Sequence, residues 1–261
     1  MKGEAGYGTL YLIPTPLGPV PPALVLPEQT RRIAAGLTVF IVERAKSARA
    51  FLKAIGIERP VQALKLLELN EHTRAESLPA LLQPLLAGED VGLISEAGCP
   101  AVADPGADLV RLAHGHGIRV RPLVGPSAIL LALMGSGLTG QRFAFHGYLP
   151  AKAPALSQAL RELERRAEAH DETQLFMDTP YRSHTILAAA LSACREDTWL
   201  GVACDLTLPS ERILTQTIAR WRASPPPLQG SACIFSLWRE PGTTRPKPRT
   251  SRTSPARHTN P

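Results

Sequence analysis

The chain has few aromatic residues, few cysteines and no long apolar run. Phe, Trp and Tyr make up 5% of its 261 residues, so the core implied by 44% hydrophobic content must be mostly aliphatic. The longest apolar stretch, residues 128–134, is far shorter than the roughly 20 residues of a membrane-spanning helix. No secretory signal is visible near the amino terminus. We therefore expect a cytoplasmic protein with no membrane association.

Several catalytic signatures are also missing. The cysteines, Cys99, Cys194, Cys204 and Cys233, form no C-x-x-C pair and have no histidine at metal-ligand spacing, which predicts reduced thiols and no metal site. The chain contains neither a G-x-x-x-x-G-K-[ST] phosphate-binding loop nor a G-x-S-x-G nucleophile elbow. Residues 135–140 match G-x-G-x-x-G, but they close an apolar helix instead of opening one. They are expected to cap that helix.

The basic charge of the chain is concentrated at its carboxyl terminus. There are 29 Lys and Arg against 23 Asp and Glu overall, for a formal net charge of +6. Residues 241–261 hold five of the basic residues and no acidic one, which leaves a nearly neutral body. This segment is rich in Pro, Thr and Ser and is predicted to be a disordered, solvated tail, although it could also contact RNA electrostatically.

Apolar strand-like runs alternate with amphipathic helical patterns along the rest of the chain. This alternation predicts an α/β protein whose mainly parallel sheets are covered on both faces. A boundary near residues 123–125 gives an amino-terminal α/β domain over 1–123 and a carboxyl-terminal α/β domain over 124–240. The short connection between them predicts a rigid cleft. The segment 211–224 is predicted to be partly helical.

Two strands end in loops of small residues that lead into helices. Residues 93–106 read LISEAGCPAVADPG, and a later strand ends in Gly125, Pro126, Ser127 and Ala128. Such loops expose backbone N–H groups and leave room for a ligand, since few Cβ atoms stand in its way. These two turns are the sequence's strongest candidates for a nucleoside-like or phosphate-like pocket.

Polar residues follow several other predicted strands. Glu43 is followed by Lys46 and Arg49, and His72 lies in a polar segment after the next strand. In a parallel sheet these residues meet at the carboxyl edge, where ligands bind, although solvated loop charges would look the same. Arg182 and its neighbour Tyr181 follow a strand of the second half and could contact a nucleotide or cap the next helix.

Six blocks in this order resemble the tetrapyrrole methylase superfamily of S-adenosylmethionine-dependent methyltransferases. The blocks are LYLIPTPLG, LISEAGCPAVADPGADLVRLA, VGPSAILLAL, FAFHGYLP, MDTPYR and ACDLT, and the resemblance covers about residues 9–238. The nearest branch methylates a ribose 2′-hydroxyl in small-subunit ribosomal RNA. The resemblance implies two α/β domains, S-adenosylmethionine in the cleft between them, an RNA substrate and a homodimer.

The resemblance also implies roles for individual residues. Residues 230–232 are expected to border the adenine, as are Met177 and Ala203. The full set of implied cofactor-binding residues is Pro16, Ser95, Glu96, Ala97, Gly98, Ser127, Ala128, Met177, Ala203 and Ala232. The residues expected to face the substrate are Glu43, Lys46, Arg49, His72 and Arg182.

The chain departs from that branch at two places. An acidic-Asp-Thr-Arg run is replaced by Glu43-Arg44-Ala45-Lys46, and an Asp of the cofactor loop is replaced by Glu96. These differences indicate a paralogous subgroup. The sequence leaves the catalytic base open among Glu43, Glu71, His72 and Asp104. It also leaves open a methyltransferase of a small molecule, such as an acidic tetrapyrrole, and a non-catalytic RNA- or ribosome-binding relative.

Overall fold

The structure is a computed structural model that describes residues 6–225, 228 and 232–241. Residues 242–261, which make up nearly all of the tail expected to be disordered, lie outside the described residues. Residues 230 and 231 of the expected adenine border lie outside them as well.

The first half alternates strands and helices as expected. Its strands are β1 (Thr9–Ile13), β2 (Val39–Val42), β3 (Lys65–Glu68), β4 (Val91–Ile94) and β5 (Arg119–Pro122). Its helices are α1 (Pro22–Val25), α2 (Glu28–Gly36), α3 (Ala45–Ala54), α4 (Leu78–Leu81), α5 (Gln83–Leu86) and α6 (Ala107–Gly115).

The first sheet has the strand order β3-β2-β4-β1-β5, and each of these pairings is parallel. Every residue of β2 and β4 is buried, as expected for strands covered by helices on both faces. Because all five strands run the same way, their carboxyl ends lie along one edge. The prediction of a parallel sheet is confirmed here.

The second half forms a mixed sheet. Its strands are β6 (Phe143–Tyr148), β7 (Thr173–Asp178), β8 (Trp199–Cys204), β9 (Arg212–Thr217) and β10 (Cys233–Trp238). Its helices are α7 (Ala128–Ser136), α8 (Ala153–His170), α9 (Ser183–Ala193) and α10 (Ile218–Ala223). The strand order is β6-β7-β10-β8-β9.

The expectation of a mainly parallel sheet is wrong for this half. Only the β6–β7 pairing is parallel among the described strands, whereas β7–β10, β10–β8 and β8–β9 are antiparallel. The loop between β8 and β9 is too short for the crossover that a parallel pair needs. Residues 212–217, expected to be partly helical, therefore return as an edge strand, and helix begins only at Ile218.

The second core contains most of the large buried aromatic side chains. Phe176 and Phe235 stack with their ring centroids 5.4 Å apart. Trp221 is 1% exposed, and its indole N–H donates to the carbonyl of Leu200 at 2.7 Å. This hydrogen bond satisfies the one polar atom of the buried ring, which anchors α10 against the sheet.

Two cysteines correct the expectation of four reduced thiols. Cys204 and Cys233 face each other across β8 and β10 and form a disulfide, with Cα atoms 4.3 Å apart. The sequence could not reveal the pair, because 29 residues separate the two cysteines and the antiparallel pairing alone brings them together. Cys99 and Cys194 remain thiols, and burial raises the pKa of Cys194 to about 12.

The G-x-G-x-x-G match lies at the end of α7. Gly137 adopts a left-handed conformation with φ of 68° at the helix C-cap, as glycine commonly does. The interpretation of this motif as a helix end is confirmed. Within the part of the chain that the structure describes, no helix combines the length and apolar character needed to cross a membrane.

Candidate active site

The loops after β1 and β4 are joined by backbone hydrogen bonds. The Thr15 N–H donates to the Gly98 carbonyl at 2.9 Å, and the Gly98 N–H donates to the Thr15 carbonyl at 3.1 Å. The buried Ser95 hydroxyl donates to the Gly98 carbonyl at 3.4 Å. Both loops are therefore fixed relative to each other at the carboxyl edge of the sheet.

The loop after β4 has an unusual concentration of left-handed residues. Gly98 has φ of 75°, and Ala101 and Ala103 have φ of 65° and 59°. A Cβ atom at Gly98 would lie 3.1 Å from Cδ2 of Leu17. Alanine in this conformation costs about 1 kcal/mol or more, and such strain is concentrated at functional sites. The strained backbone therefore marks this loop as part of a functional site.

The turn after β5 packs against this loop. The Cys99 thiol donates to the Pro126 carbonyl at 3.4 Å. Ser127 is the N-cap of α7, and its hydroxyl accepts from the Leu130 N–H at 3.5 Å. The amino terminus of α7, with its partial positive charge, therefore opens beside the loop after β4.

Residues of both halves enclose a cavity of about 510 Å³. The first half contributes the loops after β1 and β4, and the second half contributes the carboxyl ends of β6, β7 and β8 and the start of β10. A second cavity of about 450 Å³ lies nearby, between the loops after β1 and β4 and α3. We call them the main cavity and the side cavity. The main cavity has the size of a typical ligand pocket.

The residues expected to bind cofactor divide between these cavities. Seven of them line the main cavity: Ala97, Gly98, Ser127, Ala128, Met177, Ala203 and Ala232. The other three, Pro16, Ser95 and Glu96, line the side cavity. Residues far apart in sequence are thus brought together around the two cavities.

A partly buried carboxylate, Asp104, lies in the wall of the main cavity. Burial, together with the negative charge of Glu43, raises the pKa of Asp104 to about 6, and a hydrogen bond with Ser95 opposes part of this rise. Burial and the charge of Glu96 likewise raise the pKa of Glu43. Asp104 can therefore exchange a proton near neutral pH, as a general base requires.

Tyr148 and Asp178 also line the main cavity, and sequence reasoning did not single out Tyr148 for it. Burial, followed by the charges of Asp178 and Asp104, raises the pKa of Tyr148. The Asp178 carboxylate is buried, and its Oδ1 accepts from the Thr179 N–H at 2.8 Å. The position of Tyr148 depends on an irregular β6–β7 register, for which a single sequence carries no clear signal.

The residues expected to face substrate are more dispersed. Glu43 lines the side cavity, where the Ser47 hydroxyl donates to Glu96 Oε1 at 2.5 Å. Lys46 and Arg49 are exposed on α3, other residues of which line that cavity, and no ion pair to either occurs among the described residues. His72 is exposed, and its Nε2 lies 3.6 Å from Oε1 of the neighbouring Glu71.

Arg182 is held within the protein. Its guanidinium donates to the Pro150 carbonyl at 3.2 Å and lies 3.3 Å from Oδ2 of Asp178. These contacts join the loops after β6 and β7 behind the main cavity. The geometry favours a supporting role for this arginine over direct contact with phosphate.

The two-sheet fold and the cavity between its halves define the class of protein. The chain belongs to the tetrapyrrole (corrin/porphyrin) methylases, whose family model matches residues 10–221. Its curated relatives include proteins named ribosomal RNA small subunit methyltransferase I. One from Xylella fastidiosa is 37% identical over 213 residues, covering 81% of this chain and 73% of the relative. One from Escherichia coli O157:H7 is 32% identical, and the match covers 81% of this chain and 70% of the relative.

Solved structures show the same fold. The methyltransferase CobJ superposes with a TM-score of 0.57 at 19% identity, covering 89% of this chain and 94% of that one. The cobalt precorrin-4 methyltransferase CbiF superposes with a TM-score of 0.55 at 14% identity, covering 90% of this chain and 96% of that one. Membership of this family makes the protein a methyltransferase that uses S-adenosylmethionine.

The main cavity fits that cofactor. Its volume of about 510 Å³ accommodates a nucleoside joined to an amino acid. Met177, Ala203 and Ile234 provide apolar surfaces for a purine, and the amino terminus of α7 attracts a carboxylate. Gly98 contributes backbone atoms to the cavity wall, and no side chain at this position blocks the ligand.

Proposed function

We propose that the protein transfers a methyl group from S-adenosylmethionine to a ribose 2′-hydroxyl of small-subunit ribosomal RNA. The observation that carries this proposal is a carboxylate suited to proton transfer, Asp104, in the wall of the methyl-donor cavity. A ribose hydroxyl is a weak nucleophile and needs such a base, whereas many other methyl acceptors do not. The sequence similarity to ribosomal RNA methyltransferases supports the same acceptor. An RNA substrate of this kind places the protein in the cytoplasm.

Both halves contribute residues to the cofactor site, with the proposed boundary between residues 123 and 124. Gly98, Ser127 and Ala128 would hold the amino-acid and ribose portions of the cofactor. Met177, Ala203 and Ala232 would border its adenine. The bound cofactor supplies an activated methyl group on a sulfonium. The chain then has only to position the acceptor oxygen about 3–3.5 Å from that methyl and accept its proton.

We assign Asp104 as the general base that accepts the hydroxyl proton. It combines access to the main cavity with a pKa of about 6, so it is ionised at neutral pH yet basic enough to take a proton. Glu71 and His72 are exposed and line neither cavity, and Glu43 lines the side cavity. Asp104 would take the hydroxyl proton as the acceptor oxygen bonds to the methyl carbon and the carbon–sulfur bond breaks, with S-adenosylhomocysteine as the leaving group.

The two alternative functions fit less well. The curated relatives are named ribosomal RNA methyltransferases, which supports RNA over an acidic tetrapyrrole as the acceptor. A non-catalytic relative would have no use for the strained loop after β4.

The direct test is methyl transfer from radiolabelled S-adenosylmethionine to small ribosomal subunits and to their isolated RNA. A 2′-O-methyl group protects the adjacent phosphodiester from alkaline hydrolysis, so a protected position should appear only after incubation with enzyme. Label in a base, or in no RNA at all, would refute the proposed acceptor.

Lys46 and Arg49 should contribute to RNA affinity. They are exposed on α3 beside the side cavity, where phosphates can reach them. We expect Lys46→Gln with Arg49→Gln to weaken RNA binding and to reduce the slope of log K against log salt by about two. Filter binding at several salt concentrations measures this slope. An unchanged slope would show that phosphates do not contact these residues.

We also propose a homodimer built on α7. Leu130 and Met134 are 51% and 78% exposed and lie one turn apart on that helix, and Val124 just before it is 72% exposed. Such an apolar face favours association with a second copy. Leu130→Lys with Met134→Lys should convert a dimer to a monomer in sedimentation equilibrium, with the wild-type circular dichroism spectrum retained. Wild-type protein that sediments as a monomer would contradict the proposal.

A further inference from the structure

Two tyrosines are exposed at the carboxyl ends of β6 and β7. The exposed fractions are 58% for Tyr148 and 94% for Tyr181. Tyr148 lines the main cavity, and Tyr181 directly follows three residues that line it, Asp178, Thr179 and Pro180. Exposed aromatic rings lose the benefit of burial, so two such rings on strand ends beside a methyl-donor cavity indicate a ligand.

The position of Tyr148 depends on a bulge in β6. Phe145 pairs with Leu175 and Tyr148 pairs with Met177, so one extra residue of β6 is inserted between these pairs. Gly147, within the irregular stretch, has φ of 64°. Bulges re-aim the side chains that follow them. The strand thus turns Tyr148 toward the cavity.

The position of Tyr181 is held by its neighbours. Arg182 joins Asp178 to the Pro150 carbonyl, which ties the loop after β7 to the loop after β6. The Ser183 hydroxyl donates to the Thr179 carbonyl at 3.1 Å. The backbone on both sides of Tyr181 is therefore fixed while its ring remains in solvent. An aromatic ring on a rigid support loses little conformational entropy on binding.

The negative charges beside Tyr148 indicate which type of ligand binds there. Asp178 and Asp104 lie close enough to influence the Tyr148 hydroxyl, and they disfavour phosphate at this place. A nucleic-acid base is uncharged and stacks on aromatic rings. A base within a helix cannot stack in this way, because its faces are covered by neighbouring base pairs.

We infer that Tyr148 and Tyr181 form a stacking platform for unpaired bases of the acceptor RNA, at the entrance of the methyl-donor cavity. This inference rests on the proposed function. The platform holds the target nucleotide outside a helix, which brings its ribose within reach of the enclosed site. The acceptor is then a single-stranded or extruded nucleotide, and paired RNA is excluded.

Fluorescence anisotropy tests the platform directly. The probes are a labelled single-stranded RNA of about 12 nucleotides, within the range that such surfaces cover, and the same strand annealed to its complement. We expect Tyr181→Ala and Tyr148→Ala each to weaken single-strand binding about 5- to 100-fold. Tyr→Phe at either position should stay within about threefold of wild type, since the ring is retained.

Phe143→Ala is the matched control. Phe143 lies at the opposite end of β6 and is 41% exposed, so it is an exposed aromatic residue of the same strand away from the cavity. Its RNA affinity should equal that of wild type. Titration with S-adenosylhomocysteine should give the wild-type Kd for Tyr181→Ala, which separates loss of RNA binding from damage to the cofactor site.

The platform and the proposed function fail in different ways. Unchanged single-strand affinity in both alanine variants, or tighter binding of the duplex by wild type, would overturn the platform. An equal loss in the phenylalanine variants would also overturn it, because the hydroxyl and not the ring would then bind. Absence of methyl transfer to RNA by wild-type protein would instead refute the proposed function.

Discussion

Asp104→Asn should reduce kcat by about 10²- to 10⁴-fold while making the protein more stable. The loss of rate is the contribution of a positioned general base, because asparagine has no proton-accepting carboxylate. The gain in stability has a separate cause. The ionised Asp104 is partly buried beside Glu43, and the neutral amide removes both the burial of a charge and its repulsion.

The pH dependence of this stability follows from the raised pKa. Asp104 titrates near 3.8 when unfolded and near 6 when folded, so its protonated form favours the folded state. That favourable contribution is fully present below pH 3.8 and is lost as the pH rises through 6. Asp104→Asn should therefore be more stable than wild type by about 1 kcal/mol at pH 7, allowing for solvent screening of a partly exposed group. The difference should vanish near pH 4.

Activity should depend on the same ionisation. In wild-type protein kcat/KM should rise with pH through about 6 and level off above it, and Asp104→Asn should lack this rise. Single-turnover rates across this pH range and thermal melts measure both effects. Asp108→Asn is the control, since Asp108 is exposed on α6 and pairs with Arg111. A variant that keeps the wild-type pH profile would exclude Asp104 as the base.

Gly98→Trp should weaken binding of S-adenosylhomocysteine by more than 100-fold. The indole would extend from a loop that lines the main cavity, and a Cβ atom there already lies 3.1 Å from Leu17. The left-handed backbone adds strain of about 1 kcal/mol for any residue other than glycine. The strain reduces stability, whereas the bulk of the ring removes the ligand's space.

Gly117→Trp separates these two effects. Gly117 has φ of 69°, close to that of Gly98, but a Cβ atom there meets nothing within 4 Å. Isothermal titration should show wild-type affinity for Gly117→Trp and none for Gly98→Trp. If Gly98→Trp does not fold, Ala128→Trp fills the same cavity from the first residue of α7, where the backbone is helical. Wild-type affinity in both cavity variants would show that the cofactor binds elsewhere.

The first sheet could be predicted from the chain because its strands are short apolar runs separated by helical patterns. Burial on both faces produces that composition directly. The strand order of the second sheet could not be predicted in this way. The insertion of β10 between β7 and β8 depends on contacts between segments far apart in sequence. β9 ends at Thr217 and α10 begins at Ile218, so no intervening loop separates the strand from the helix.

The same distinction applies to the site. The loops at Gly98 and Ser127 could be predicted because glycine and proline at a strand end have a local conformational meaning. Tyr148 could not be assigned to the cavity, since a one-residue bulge decides where it points. The Cys204–Cys233 disulfide was missed for the related reason that cysteine spacing carries no information about strand pairing.

The link between the loops at Thr15 and Gly98 has a consequence for the order of folding. Thr15 and Ser95 are 80 residues apart, so the contacts that shape the cleft have a high contact order. During synthesis the loop after β1 leaves the ribosome long before its partner exists, and it must wait for β4 and the turn at Ser127. A nascent chain therefore acquires affinity for the methyl donor late, after the whole parallel sheet has assembled.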